Sequence, residues 1–187
     1  MSILANGLTD HRIPDFRDHA AVIARLSPTI TDLGKARDYW RSVSADSTEP
    51  HPVWSVEHFG EGETEYIAYR GPGGFSVHFG SHVAVVGAGC RYSGFATIPA
   101  LQAAHLPGFR AVASALGGTR LVLVPEDNGP IWDAAMYEGA SVDECVKLIR
   151  RTWGEPHSPT EVVTEDLDVY YRRKAPIWYV EVLQQTA

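Results

Sequence analysis

A chain of 187 residues, 44% hydrophobic and 21% charged, has the make-up of an ordinary globular protein and the length of one domain rather than two. Its net charge of −7, with basic residues massed along no face or tail, argues against nucleic-acid binding and against a basic membrane anchor. Apolar runs such as Val83 to Val86 are too short to cross a bilayer. The first seven residues lack the charged and apolar regions of a secretory signal. Two cysteines, Cys90 and Cys145, fit a reducing compartment and match neither zinc nor C-x-x-C spacing, so a cytoplasmic protein without a metal site or cofactor is expected.

In chain order, a helical segment over residues 14–44 comes first. Phe16, Ala20, Ile23 and Leu26 recur at helical spacing in Pro14 to Leu26, and Pro28 stops that helix. A second helix over Asp32 to Ser44 carries Leu33, Ala36, Tyr39, Trp40 and Val43 on one side, with Thr31 or Asp32 as its cap. From about 53 to 96 the period changes. Val53–Phe59, Thr64–Arg70, Phe75–Gly80 and His82–Val86 are short β-branched and aromatic runs, separated by glycine-rich turns, and a strand resumes through Arg91–Ala96. Phe75, Val77 and Phe79 alternate with Ser76 and His78, which predicts one face inward and one outward.

Residues 98–154 mix helix and strand. A helix from Ile98 to Leu116 ends at Gly117-Gly118, and Thr119–Val124 is an apolar strand. Pro130–Tyr137 is helical, and Ser141 with Glu144 forms a capping box that opens a helix to Trp153. A final hairpin is expected at about 168–183, from Asp168–Arg173 and Ile177–Leu183. Consecutive strands followed by helices indicate an α+β fold, an antiparallel meander packed against several helices in one domain of residues 1–187.

Several motifs invite chemistry and lose it on spacing. Val83 to Gly89 resembles the start of a dinucleotide-binding turn, but the third glycine position is Tyr92, so a strand turn or bulge is expected instead. His51, His58, His78 and His82 gather in the β region, and His58 and His78 could meet across the sheet, yet no metal-ligand spacing links them. No Gly-x-Ser-x-Gly turn exists, and Cys145 falls on the apolar stripe Val142, Val146, Ile149 and Trp153. His105 shares a stripe with Leu101, Phe109, Val112 and Leu116, so it points at the core. Two readings stay open there: a neutral histidine bonded to a backbone carbonyl, or a general base working with an acid near Glu126 and Asp127.

Charge carries the positive signal. Eleven of 23 acids lie in Glu126–Glu144 and Glu155–Asp168, two windows without a Lys or Arg. Ordinary solvated faces and helix N-termini account for some of them. The alternative is an acidic surface that steers toward a basic partner, with Trp132 and Tyr137 as anchors among Glu126, Asp127, Asp133 and Glu138. With Ala104-His105-Leu106-Pro107-Gly108-Phe109-Arg110 and Tyr137-Glu138-Gly139 inside Ile98–Gly154, the chain resembles bacterial immunity proteins, the antidotes to polymorphic toxins. That resemblance implies non-enzymatic inhibition of a toxin through an acidic face. A ligand-binding or regulatory module on the aromatic side of the meander is a third reading.

Overall fold

The computed structural model describes residues 4–43, 51–59, 66–125, 129–158, 170 and 175–184. In chain order the elements are β1 (Leu4–Asp10), α1 (His19–Leu26), α2 (Gly34–Val43), β2 (Ser55–Phe59), β3 (Tyr66–Arg70), β4 (Ser76–Phe79) and β5 (Val83–Arg91). They continue with α3 (Tyr92–Thr97), α4 (Pro99–Ala115), β6 (Arg120–Pro125), α5 (Gly129–Met136), α6 (Val142–Trp153) and β7 (Tyr179–Val182). The seven strands make one antiparallel sheet in the order β2-β3-β4-β5-β1-β6-β7. The fold is α+β, and β2 to β5 form the expected meander.

The first strand is the element that the sequence pattern hides. Leu-Ala-Asn-Gly-Leu-Thr-Asp is poor in β-branched residues, yet it lies mid-sheet between β5 and β6. Gly7 is needed there because a Cβ would come within 2.9 Å of Leu121 and 3.0 Å of Phe109, the side chain that α4 lays on the sheet. The Asp10 carboxylate then joins β1 to β6. It accepts from the Thr119 and Arg120 amides at 2.8 and 3.1 Å and from the Thr119 hydroxyl at 2.9 Å.

Helices cover both faces. On one, α1 to α4 and the residues that flank them pack Leu26, Leu33, Phe95, Phe109 and Leu116 onto Tyr69, Val77, Val86 and Leu121. On the other, Ile131, Cys145, Val146 and Ile149 of α5 and α6 pack onto Leu8, Val83, Val85, Val122 and Trp178. Strand positions facing both layers are buried, which is why β5 and β6 read as nearly continuous apolar runs. No helix of the described residues is long and apolar enough to cross a membrane.

The local signals behave as their physics requires. Ser141 accepts from the Glu144 amide while the Glu144 carboxylate accepts from the Ser141 amide at 2.8 Å, which completes the capping box. Gly117 adopts φ +82° behind α4, and Gly118 donates to the Ala113 carbonyl at 2.9 Å. The stripe Leu101, His105, Phe109, Val112 and Leu116 is buried throughout.

Other expectations need correction. Arg91–Ala96 is not a strand: β5 runs on through Gly87 and Gly89 to Arg91, and α3 starts at Tyr92. Tyr92 is buried and its hydroxyl reaches the carbonyls of Leu123 (3.0 Å) and Ile177 (2.8 Å), contacts across the core that no local pattern encodes. The glycine pair makes no turn, although the pairing slips between Leu4 and Ala5, a bulge opposite Gly89 and Cys90. In α1 the helix begins at His19, capped by Asp18, and buries Val22 and Leu26 while Ala20 is exposed. α2 begins at Gly34, beyond Thr31 and Asp32. At the C-terminus β7 pairs with β6. Of the other arm of the expected hairpin only Tyr170 lies within the described residues, and it is helical.

Candidate functional site

Strand alternation decides which polar side chains share a surface. In the sheet register Arg70, Ser76, Gly87 and Asn6 lie side by side across β3, β4, β5 and β1. The next row on the same face is Glu57, Ala68, His78 and Val85. This is the face that α5 and α6 cover only over β5, β1, β6 and β7. Over β2, β3 and β4 the described residues supply no helix. The result is a trough of about 660 Å³ along β4. Its floor holds Asn6, Arg70, Ser76, His78 and Gly87, and its wall is Trp132, Met136 and Tyr137 at the end of α5. Phe16, Arg17 and Phe79, the last residue of β4, also line it.

The floor is polar, and its polar side chains open on the trough. Asn6 and Ser76 are each 6% exposed, and among the described residues neither side chain has a hydrogen-bond partner. Gly87 keeps the space between them open, since a Cβ would stand 2.6 Å from Ser76 Oγ and 3.3 Å from Asn6 Oδ1. Arg70 Nε donates to Glu57 at 3.2 Å and the guanidinium lies 5.4 Å from the Phe59 ring centre. Its terminal amino groups have no partner among the described residues. Burial, reinforced by the Arg70 charge, lowers the His78 pKa to about 4, so this imidazole is neutral at pH 7. Its ring meets Trp132 edge-on at 5.9 Å.

His78 and His58 therefore do not meet across the sheet. They occupy alternate positions of the register and point to opposite faces, and His58 packs edge-on against His19 at 5.3 Å on the α1 side. Among the described residues no group of three or more His, Cys, Asp or Glu side chains is placed to hold a metal ion.

His105 is 1% exposed and lies between Tyr39 and Phe75. Its Nδ1 is 3.0 Å from the Leu101 carbonyl, so the neutral tautomer donates there, and burial lowers its pKa. It borders a hollow of about 290 Å³ beside α2 and α3, whose described lining contains no carboxylate. Glu126 and Asp127, its supposed acid partners, lie outside the described residues. Both thiols are buried, which pushes Cys90 up to about 12 and Cys145 to about 11 and keeps them protonated.

The acids of the first window separate into two groups. Asp143 pairs with Arg120, Glu144 is held by Ser141, and Glu155 in the second window pairs with Arg150 at 3.0 Å. Asp133 and Glu138 are exposed without an ion-pair partner among the described residues. Glu161, Glu165, Asp166 and Asp168 lie outside the described residues. Trp132 is half-buried on the α5–α6 core, and Tyr137, one turn later, is 77% exposed. Trp132 and Tyr137 thus border the trough beside the two unpaired acids.

Sequence reasoning missed Asn6, Arg70, Ser76 and Gly87. Asn6 gave no signal because its strand was not recognised. Ser76 and His78 did signal, as polar alternates between Phe75, Val77 and Phe79, but a solvated face was expected where Ser76 is in fact buried. No protein-family model, curated protein or solved structure matches the chain.

Proposed function

We propose that this chain is a non-enzymatic binding protein that engages a protein partner through the outer edge of α5. Its partner is a toxin with a basic surface, as the resemblance to immunity proteins implies. The supporting observation is Tyr137, 77% exposed beside Trp132, flanked by the exposed and unpaired acids Asp133 and Glu138. An aromatic anchor ringed by charge is the usual anatomy of a hot spot. The acids steer a basic partner on approach, and the aromatics hold it once docked. Glu126 and Asp127 belong to the same proposed surface by sequence. An enzyme built on His105 gains no support, because that imidazole is engaged by a carbonyl and its hollow has no described acid.

The test is capture from native lysate with the tagged chain. Wild type is compared with a variant reversed in charge at Glu126, Asp127, Asp133 and Glu138, and with Tyr137→Ala. A stoichiometric partner bound by wild type should associate more slowly with the reversed variant, and its association should lose most of its salt dependence. Tyr137→Ala should speed dissociation by roughly tenfold or more, the cost of a hot-spot truncation. A partner that binds all three proteins alike rejects the acidic-edge reading.

A further inference from the structure

We propose that the floor of the trough binds a small anion bearing a flat ring, on sheet residues that the α5 reading does not use. The Arg70 guanidinium takes the anionic group, Asn6 and Ser76 hydrogen-bond to the ligand, and Trp132 packs against its ring.

Three features carry this. Asn6 and Ser76 are each 6% exposed, line the trough, and have no side-chain partner among the described residues. Both side chains line the trough, so a ligand seated there can take up their hydrogen bonds in place of water. Second, the charged side chains among the trough's described lining are both basic, in a chain whose net charge is −7. Arg17 and Arg70 line the trough, no carboxylate does among the described lining residues, and Glu57 meets Arg70 at Nε. A guanidinium whose terminal amino groups have no partner among the described residues suits bidentate capture of a carboxylate or phosphate. Third, the space and its walls fit a ring. The volume of about 660 Å³ falls within the range of small-molecule sites, and Trp132 stands over β4 as a large apolar wall. At neutral pH His78 is uncharged and so adds a polar contact rather than a second cation.

Carboxylate and phosphate present the same chemistry to Arg70, and probes separate them. Indole-3-acetate and adenosine 5′-monophosphate are titrated into the full chain by calorimetry, beside tryptamine, adenosine, acetate and inorganic phosphate. At least one ringed anion should bind saturably, about tenfold or more tighter than its cationic or neutral counterpart and than the ringless ions. Whichever of the two binds identifies the anionic group. Asn6→Asp, which preserves size but puts a negative charge on the trough floor against the ligand's own, should weaken that anion by about tenfold or more. Gly87→Ala, whose methyl fills the gap between Ser76 and Asn6, is the second variant and should also lose binding. Amide spectra confirm that each variant is folded. Charge reversal at Asp133 and Glu138 should leave anion binding within about twofold, which separates this site from the α5 edge. The proposal is overturned if neither ringed anion saturates the protein at millimolar concentration, if tryptamine or adenosine binds as tightly, or if folded Asn6→Asp binds the anion unchanged.

Discussion

His78 is a residue whose neighbours oppose its ionisation. Burial is the larger cause and the Arg70 guanidinium the smaller, and together they bring its pKa from 6.5 to about 4. Above the unfolded value both states hold a neutral imidazole, so the residue has no effect on stability there. As pH falls from 6.5 toward 4 the unfolded chain takes up a proton that the folded chain refuses, and stability is lost. His11 and His105 are shifted in the same direction and add to that acid limb. His78→Gln should therefore keep more of its pH 7 stability at pH 4.5, by on the order of 1–3 kcal/mol. Urea unfolding of both proteins at the two pH values measures this. Parallel losses would mean that His78 is far more solvated than its neighbours imply. None of this was legible locally. Ser76 and His78 read as the wet side of a strand, and only the strands on either side make them interior.

At the scale of elements, caps and pairings should respond differently to change. The Ser141–Glu144 box satisfies amides at an exposed helix start, so Ser141→Ala should lower stability by about 1 kcal/mol and leave the fold intact. Asp10 is more demanding. Its carboxylate meets two backbone amides and a hydroxyl between β1 and the start of β6. Asp10→Ala strands those donors at a partly buried site and should cost about 2–3 kcal/mol, read as a shift in the urea midpoint. Removing residues 1–10 should do something different in kind. It takes out the strand between β5 and β6, so amide spectra should lose the dispersion of a folded sheet rather than shift slightly. A truncated chain that still unfolds cooperatively would contradict the central place of β1. The helices α4 and α6 were readable because their apolar stripes and stop signals lie within a dozen or so residues of each other. β1 was not, because Asn6, Gly7 and Asp10 are poor strand formers whose roles depend on Phe109, Leu121 and Thr119 more than a hundred residues away.

Across the whole molecule, charge is distributed unevenly between surface and trough. Among the described acids of the two windows, Asp143, Glu144 and Glu155 are held by Arg120, Ser141 and Arg150, while Asp133 and Glu138 remain exposed at the end of α5. Lysine at both positions should change the unfolding midpoint by less than the equivalent of about 0.5 kcal/mol, since neither has an ion-pair partner among the described residues to lose. That leaves any loss of partner binding attributable to the surface itself. The stripes of α4 and α6, the Ser141 capping box, the meander and the α+β class follow from the sequence alone, because each is set by periodicity and turn chemistry over a short span. Which strand fills the middle of the sheet, which alternates become interior, and how Asn6, Arg70, Ser76 and Trp132 come to share one trough were decided only in three dimensions. Sheet order rests on pairings such as Asn6 with Gly87 and Val124, and no local pattern specifies contacts over such separations.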